Sequence, residues 1–235
     1  MSDVKCEKKG IKIPTYIPKQ AHELPMFFEN KPYQGASGRV YPIPYCDGIS
    51  DEKTDVEYET YTLENEYVKT QVVPALGGKI LRGFDKVGNY DFIYYNEVVK
   101  PALVGLAGPW ISGGIEFNWP QHHRPTTFMP LEAIEEDNPD GGKTVWTGEV
   151  EPFGRMKGMA GITVDKGRSY IKAKVRVYNR TAFPQVFMWW ANLAVPVNNA
   201  YRTVFPPDCE WVNDHDRRAV LEWPIAKGLY KTARP

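Results

Sequence analysis

Apolar and polar residues alternate along much of the chain with the period of two that β-strands show. The clearest example covers residues 170–179. Its apolar side carries Ile171, Ala173, Val175 and Val177, and its other side carries Tyr170, Lys172, Lys174, Arg176 and Tyr178. This pattern predicts a half-buried strand of an antiparallel sheet.

Further strand-like segments follow at short intervals, separated by Gly-Gly, Gly-Asn and Asn-Glu breaks. They cover residues 58–65, 66–74, 78–86, 90–98, 143–153 and 184–197. The Pro- and Tyr-rich residues 1–50 are expected to form extended segments and turns that pack on the same domain.

Helical patterns are weak in this sequence. Residues 97–106 hold an apolar cluster, but Pro101 and Gly105 interrupt it. Residues 131–142 show a short amphipathic helical pattern that ends in a turn. Many short strands with few helices predict an all-β fold, an antiparallel sandwich or barrel, in one domain that spans residues 1–235.

The charge and hydropathy of the chain limit the classes of partner that we expect. The 235 residues include 29 basic and 29 acidic side chains, so the formal net charge is zero. Because nucleic-acid binding relies on an excess of basic groups, we expect no nucleic-acid partner. No window approaches the ~18 consecutive apolar residues of a membrane span, and no secretory signal is visible. We therefore expect a cytoplasmic protein with no membrane partner.

Sequence motifs for metals and cofactors are missing. The cysteines Cys6, Cys46 and Cys209 are odd in number and widely spaced, which fits neither a disulfide framework nor a zinc motif. The sequence contains no Gly-x-Ser-x-Gly, P-loop or dinucleotide-binding motif. We expect no metal and no cofactor.

Residues 108–125 form the densest cluster of polar and aromatic side chains. Its candidate site residues are Trp110, Glu116, Asn118, Trp119, His122, His123 and Arg124. Carboxylate, amide and guanidinium groups match pairs of sugar hydroxyls with directional hydrogen bonds, and a Trp ring offers a flat apolar face to a pyranose. The cluster predicts a carbohydrate site. A glycine bulge with core tryptophans would use the same residues, so both interpretations stay open.

Two shorter clusters add candidates. In residues 187–194, Trp190 and Asn192 are expected on one face of a strand. A buried Asn192 needs a hydrogen-bond partner, which a ligand or a neighbouring loop would supply. His215 lies between two aspartates, which favour a protonated imidazole; a plain polar loop explains the same residues.

Several of these segments resemble a known group of sugar-binding domains. Residues 65–80, with the sequence NEYVKTQVVPALGGKI, resemble the opening strands of galactose-mutarotase-like domains. Residues 113–120, GGIEFNWP, look like the Gly-Gly stretch of hexose-phosphate mutarotase relatives. Together with residues 189–192 and 204–208 they are most similar to the DUF5107 domain, which often precedes tetratricopeptide repeats.

The resemblance implies an antiparallel β-supersandwich with a sugar site on a concave sheet face. Mutarotases have a His in the strand motif that reads Trp-Trp-Ala-Asn in this chain, and their Glu base lies far toward the C-terminus. This chain stops before that region. We therefore expect a supersandwich that is incomplete at its C-terminus, with unpaired sheet edges that favour a homo-oligomer.

The sequence is compatible with three functions. The first is an enzyme acting on a sugar or glycoside, an epimerase or glycosidase or part of one, in which Glu116 and His122 or His123 transfer protons. The second is a non-catalytic module that binds a small carbohydrate. The third is a structural or interaction domain. In the first two, the expected sugar-binding residues are Trp110, Asn118, Trp119, Arg124, Trp190, Asn192 and His215.

Overall fold

The computed structural model describes residues 3–20, 46, 48–103, 109–120, 127, 129–152, 154–213 and 220–225. The chain divides into two compact units, Met1–Pro196 and Val197–Pro235. The strands of the first unit are β1 (Lys5–Pro18), β2 (Ile49–Glu64), β3 (Val68–Val73), β4 (Lys79–Asp85), β5 (Tyr90–Asp91), β6 (Pro101–Leu103), β7 (Pro109–Ile111), β8 (Ile115–Asn118), β9 (Glu132–Asp137), β10 (Lys143–Val150), β11 (Lys157–Val164), β12 (Ile171–Tyr178) and β13 (Trp190–Leu193). The second unit contains β14 (Trp211–Asn213) and β15 (Val220–Glu222).

Two antiparallel sheets make up most of the first unit. A seven-stranded sheet runs in the order β1-β2-β3-β4-β8-β13, with β5 paired to β4, and a four-stranded sheet runs β12-β11-β10-β9. The pairs β6-β7 and β14-β15 form two small separate sheets. The described part of the chain has a 3-10 helix at Pro74–Leu76 and no α-helix. The prediction of an all-β, antiparallel fold is confirmed.

The main core lies between the two large sheets. Its buried members from the seven-stranded sheet and its flanks include Leu63, Val68, Val72, Ile80, Phe117 and Trp119, and those from the four-stranded sheet are Val145, Ala160, Ile162 and Val164. Trp119 is 1 % exposed. Its indole lies directly against Gly158 of β11, where an added Cβ would come within 2.3 Å of the ring. This contact therefore fixes how closely the two sheets approach at this point.

A second apolar cluster covers the opposite face of the seven-stranded sheet. Its buried members are Ile13, Tyr58, Val73, Leu76, Leu81, Val99 and Ile111. The two faces follow the pleat, because Ile80 belongs to the main core while Leu81 belongs to the second cluster. Side chains on the same face as Leu81 therefore point away from the four-stranded sheet.

A buried amide links the two large sheets. The Nδ2 atom of Asn65 donates to the carbonyl oxygens of Asp165 and Arg168, each at 2.8 Å. Its Oδ1 atom accepts from the backbone amides of Tyr67 at 2.8 Å and Val68 at 2.9 Å. Asn65 thus satisfies its hydrogen-bonding groups while joining the β2-β3 turn to the β11-β12 turn.

The alternating segment at residues 170–179 is confirmed as an antiparallel strand. It forms β12, which pairs with β11 from Ile171 opposite Val164 to Tyr178 opposite Lys157. Among the described strands β12 has a neighbour on one side only. The apolar side chains of Val175 and Val177 are accordingly 37 % and 40 % exposed, although they face the same side as the core.

Two segments differ in part from their sequence patterns. In residues 131–142 the turn is present at residues 139–140, but residues 132–137 form β9, because pairing with β10 from Glu132 to Asp137 outweighs a weak helical pattern. Residues 90–98 are not one strand, since their amides bond to different elements. Phe92 donates to the carbonyl of Gly83 and Tyr94 donates to that of Ala194.

The described residues include no helix with the length and apolarity that crossing a membrane requires. The cysteines Cys6, Cys46 and Cys209 are free.

Replacement of Gly158 by Ala should destabilise the fold, because the new Cβ would overlap the indole of Trp119. We expect a loss of about 1–3 kcal/mol in the free energy of unfolding, as for other overpacked cores. The matched control repeats the change in a Trp119→Phe background, where the smaller ring leaves room. Urea unfolding of the four proteins measures the coupling, and an equal cost of Gly158→Ala in both backgrounds would contradict this contact.

Candidate functional site

The carboxylate of Glu116 is buried on the second face of the seven-stranded sheet. Glu116 lies on β8 and is 4 % exposed. Its Oε2 accepts from Trp110 Nε1 at 2.8 Å and from Asn192 Nδ2 at 3.3 Å, and its Oε1 accepts from Thr127 Oγ1 at 3.0 Å. We call Glu116, Trp110, Thr127 and Asn192 the Glu116 cluster. A buried carboxylate requires such donors, so it determines the orientation of all three.

The pairing of β8 with β13 brings Asn192 to this carboxylate. Asn192 lies directly opposite Glu116, and Trp190 lies opposite Asn118. Residues that face each other across an antiparallel pair project to the same side. The prediction that Trp190 and Asn192 share one face is therefore confirmed, and the amide of Asn192 has a carboxylate as its partner.

Thr127 reaches Glu116 because the chain passes very close to Gly77. A Cβ at Gly77 would lie 2.2 Å from the carbonyl oxygen of Thr127, and Gly77 has a φ of 71°. The backbone amide of Gly77 also donates to the carbonyl of Met129 at 3.0 Å. Both the close approach and the left-handed conformation require glycine. The turn after the 3-10 helix thus positions a hydroxyl donor for the cluster.

A second glycine turn joins the strands that carry Trp110 and Glu116. Gly114 lies between β7 and β8 with a φ of 71°. A Cβ at this position would approach the carbonyl oxygen of Ile80 to 2.1 Å. The tight contact lets β8 begin beside β4, where Ile115 pairs with Ile80. It also brings Trp110, which lies six residues before Glu116 in the sequence, back to the Glu116 carboxylate.

Lys79 supplies a buried positive charge close to Glu116. It is 3 % exposed, and its Nζ donates to the carbonyl of Ile111 at 2.8 Å. Burial lowers the pKa of Lys79 to about 8, while the negative charge of Glu116 acts in the opposite direction. Sequence patterns did not identify Lys79. The available signal was a lysine between Gly-Gly and an apolar strand, which places it on a buried face.

A comparison with models of protein families identifies the family of this chain. The model described as a domain of unknown function (DUF5107) matches residues 36–233. The chain belongs to the DUF5107 family. The matched range contains all four members of the Glu116 cluster and Lys79.

A solved structure is similar to this DUF5107 chain. It is the crystal structure of a TPR-domain containing protein from Parabacteroides distasonis, with a TM-score of 0.74 and 25 % sequence identity. The match covers 84 % of this chain and 33 % of that protein. The chain therefore spans about a third of the length of the relative that it matches.

The other candidate site residues of the DUF5107 chain do not all lie at the Glu116 cluster. Asn118 is fully buried and shares the face of Glu116, opposite Trp190. Trp119 lies in the main core against Gly158, on the far side of the sheet from the cluster. The remaining candidates, His122, His123, Arg124 and His215, lie outside the described residues.

The described side chains of the cluster are joined by hydrogen bonds. Three described donors meet the two carboxylate oxygens. Within the described ranges, no group of three or more His, Cys, Asp or Glu side chains could hold a metal ion. Trp110 and Asn192 are only partly buried, and so is Trp190, which lies beside the cluster on the same face of the sheet. This part of the face therefore presents two indoles and an amide.

The low pKa of Lys79 gives a pH-dependent stability. Between pH 8 and 10.5 the unfolded chain binds more protons at this residue than the folded chain does, so the free energy of unfolding rises with pH. A Lys79→Met variant should lack this contribution. The advantage of the variant over the unmodified chain should therefore be largest below pH 8 and should shrink toward pH 10.5.

Urea unfolding at several pH values from 7.5 to 10.5 checks this expectation. Lys53→Met is the control, since Lys53 is exposed on β2. Parallel stability curves for Lys79→Met and the unmodified chain would contradict the burial of a charged lysine at this position.

Proposed function

We propose that this DUF5107 domain binds a small carbohydrate at the Glu116 cluster. The observation that carries the proposal is the buried carboxylate of Glu116, which holds Trp110 and Asn192 in fixed orientations at a partly exposed part of the sheet face. Fixed polar and aromatic groups lower the entropy cost of recognising a flexible, hydroxyl-rich ligand.

The side chains of the cluster match the chemistry of a sugar. An amide offers both donors and an acceptor, and Asn192 uses one donor in its bond to Glu116. Indole rings such as those of Trp110 and Trp190 provide a large apolar face with a polar edge. A pyranose presents the complementary arrangement of hydroxyl edges and a C–H face.

The geometry favours binding over proton transfer by Glu116. A general acid or base must come within about 2.6–3.2 Å of the proton that it moves. The Glu116 carboxylate is 4 % exposed and its oxygens accept from three side chains. Its role in this proposal is that of a positioning residue, and the sugar contacts come from Asn192 and the indoles. For Glu116 we therefore propose a role in binding and not in proton transfer.

We also infer that the fold belongs to the galactose-mutarotase-like superfamily. Three features support this assignment: the resemblance of residues 65–80 and 113–120, the antiparallel two-sheet architecture, and two glycine turns at the resembling positions. Gly77 and Gly114 both adopt the left-handed conformation in those turns. Fold alone does not determine function, so the sugar site is tested separately.

Thermal unfolding with a panel of neutral monosaccharides and short oligosaccharides tests the sugar site. A ligand at about 100 times its dissociation constant should add about 2.7 kcal/mol to the stability of the folded chain. Asn192→Ala and Trp190→Ala should each weaken the binding at least about tenfold, since each removes a proposed contact. The matched controls are Asn198→Ala and Trp211→Ala, because both residues are exposed outside the cluster.

Two results would overturn the proposal. The first is the absence of any stabilisation by sugars in a chain that melts cooperatively, which would favour a structural or interaction role. The second is stabilisation that Asn192→Ala and Trp190→Ala leave unchanged, which would place the sugar elsewhere.

Glu116→Gln separates a positioning role from a catalytic one. The amide oxygen can still accept from Trp110 and Asn192, but the new NH2 group then faces Thr127 Oγ1, which must turn from donor to acceptor. The bonds also lose their charge assistance, so we expect weaker sugar binding together with a loss of about 1–3 kcal/mol of stability. Isothermal titration calorimetry and urea unfolding measure the two effects. Unchanged affinity with loss of a measured hydrolysis or epimerisation activity would instead identify Glu116 as a catalytic residue.

A further inference from the structure

A small cavity lies on the second face of the seven-stranded sheet, on β3 and β4. It has a volume of about 190 Å³ and is lined by Lys69, Gln71, Arg82 and Phe84. Gln71 pairs with Arg82 and Lys69 pairs with Phe84, so the lining comes from two directly opposed pairs. None of these side chains belongs to the Glu116 cluster.

Arg82 is held in one orientation within this cavity. Its Nε donates to Asp91 Oδ1 at 2.5 Å and its Nη2 donates to Asp91 Oδ2 at 2.9 Å. Its guanidinium carbon also lies 5.4 Å from the ring centroids of both Phe84 and Tyr95. A bidentate carboxylate and two aromatic rings remove most of the freedom of an arginine side chain. The bonds to Asp91 use Nε and Nη2, so the Nη1 edge remains for a ligand.

The charges around the cavity leave it positive. Asp91 balances Arg82, and Glu64 lies between two lysines. Glu64 Oε1 is 2.6 Å from Lys86 Nζ, whereas Glu64 Oε2 is 3.6 Å from Lys69 Nζ. Lys86 is thus the closer partner of Glu64, and Lys69 forms the longer ion pair with it while also lining the cavity. Around the cavity, Arg82, Lys69 and Lys86 together carry one more charge than Asp91 and Glu64.

We propose that this cavity binds the anionic group, a carboxylate or a phosphate, of a small ligand. Arg82 presents its remaining N–H edge, Lys69 adds an ammonium group and Gln71 adds amide donors, which are the groups that bind such oxygens in proteins. The volume fits this size of group, because sites for drug-sized molecules occupy about 300–1,000 Å³. The site is independent of sugar binding at the Glu116 cluster.

An NMR titration of the chain tests the proposal with the Arg82 Nε–H as the reporter. The probes are acetate, glucuronate, inorganic phosphate and glucose 6-phosphate, with glucose as the neutral comparison. We expect saturable shifts with anions and none with glucose, and a weaker affinity at higher salt. Saturation by acetate and glucuronate identifies a carboxylate ligand; saturation by the phosphate probes identifies a phosphate ligand. Either supports the site.

Substitutions test whether the NMR shifts caused by anions arise from binding in the cavity. Arg82→Gln should weaken anion binding at least about tenfold, because it removes a charge-assisted hydrogen bond. Arg176→Gln is the matched control, since Arg176 also lies over an aromatic ring, 4.3 Å from the centroid of Trp146, but on the other sheet. Backbone amide shifts of Gln71 report binding in the Arg82 variant.

The outcomes separate this site from the Glu116 cluster. Asn192→Ala should leave anion binding unchanged even if it abolishes sugar binding. No saturable shift with any of the anions would overturn the proposal. So would an anion affinity that Arg82→Gln and Arg176→Gln change equally.

Discussion

The carboxylate of Glu116 is 4 % exposed and must be hydrogen-bonded where it lies. Its donors come from parts of the chain that are far apart in sequence: Trp110 on β7, Thr127 after β8, and Asn192 on β13. Loss of any one of them would leave a buried acceptor less satisfied, at a cost of about 1–3 kcal/mol. Asn192 thus links the short strand β13, which pairs with β8 alone among the described strands, to the buried carboxylate.

Two backbone contacts make this arrangement possible. Gly77 lets Thr127 approach within a distance that any side chain would prevent, and Gly114 does the same for β8 beside Ile80. On the other side of the sheet, Trp119 lies against Gly158. The same strand, β8, therefore leads from a polar cluster on one face to the main core on the other, as the alternation of its side chains requires.

Local periodicity was sufficient to predict the fold class and several faces of the sheets. The alternation at residues 170–179 predicted β12, and the spacing of Trp190 and Asn192 predicted their common face, because both depend only on the period of a strand. The sequence could not show that Asn192 meets Glu116, since that contact depends on the pairing of strands 76 residues apart. Thr127 was missed for the same reason, whereas Lys79 had a local signal, a lysine between Gly-Gly and an apolar strand.

Where the structure differs from the sequence pattern, the difference has a physical cause. The short helical pattern at residues 131–142 became β9 because pairing with β10 outweighed a weak propensity. Residues 90–98 had the composition of a strand, but their amides bond to Gly83 on β4 and to Ala194, which directly follows β13. Arg82 carried no sequence signal for a site, because its clamp by Asp91 and its two aromatic neighbours appear only in the folded chain.

In the proposed sugar site, Glu116 holds Trp110 and Asn192 ready to contact the ligand. The most direct measurement is an NMR spectrum of the tryptophan indole and asparagine side-chain amide groups, recorded while a neutral sugar that stabilises the chain is added. We expect the Trp110 Nε1–H and Asn192 Nδ2–H signals to shift and saturate together, while the indole signal of Trp146, on the other sheet, does not move. Unmoved Trp110 and Asn192 signals at saturating sugar would contradict the proposed site.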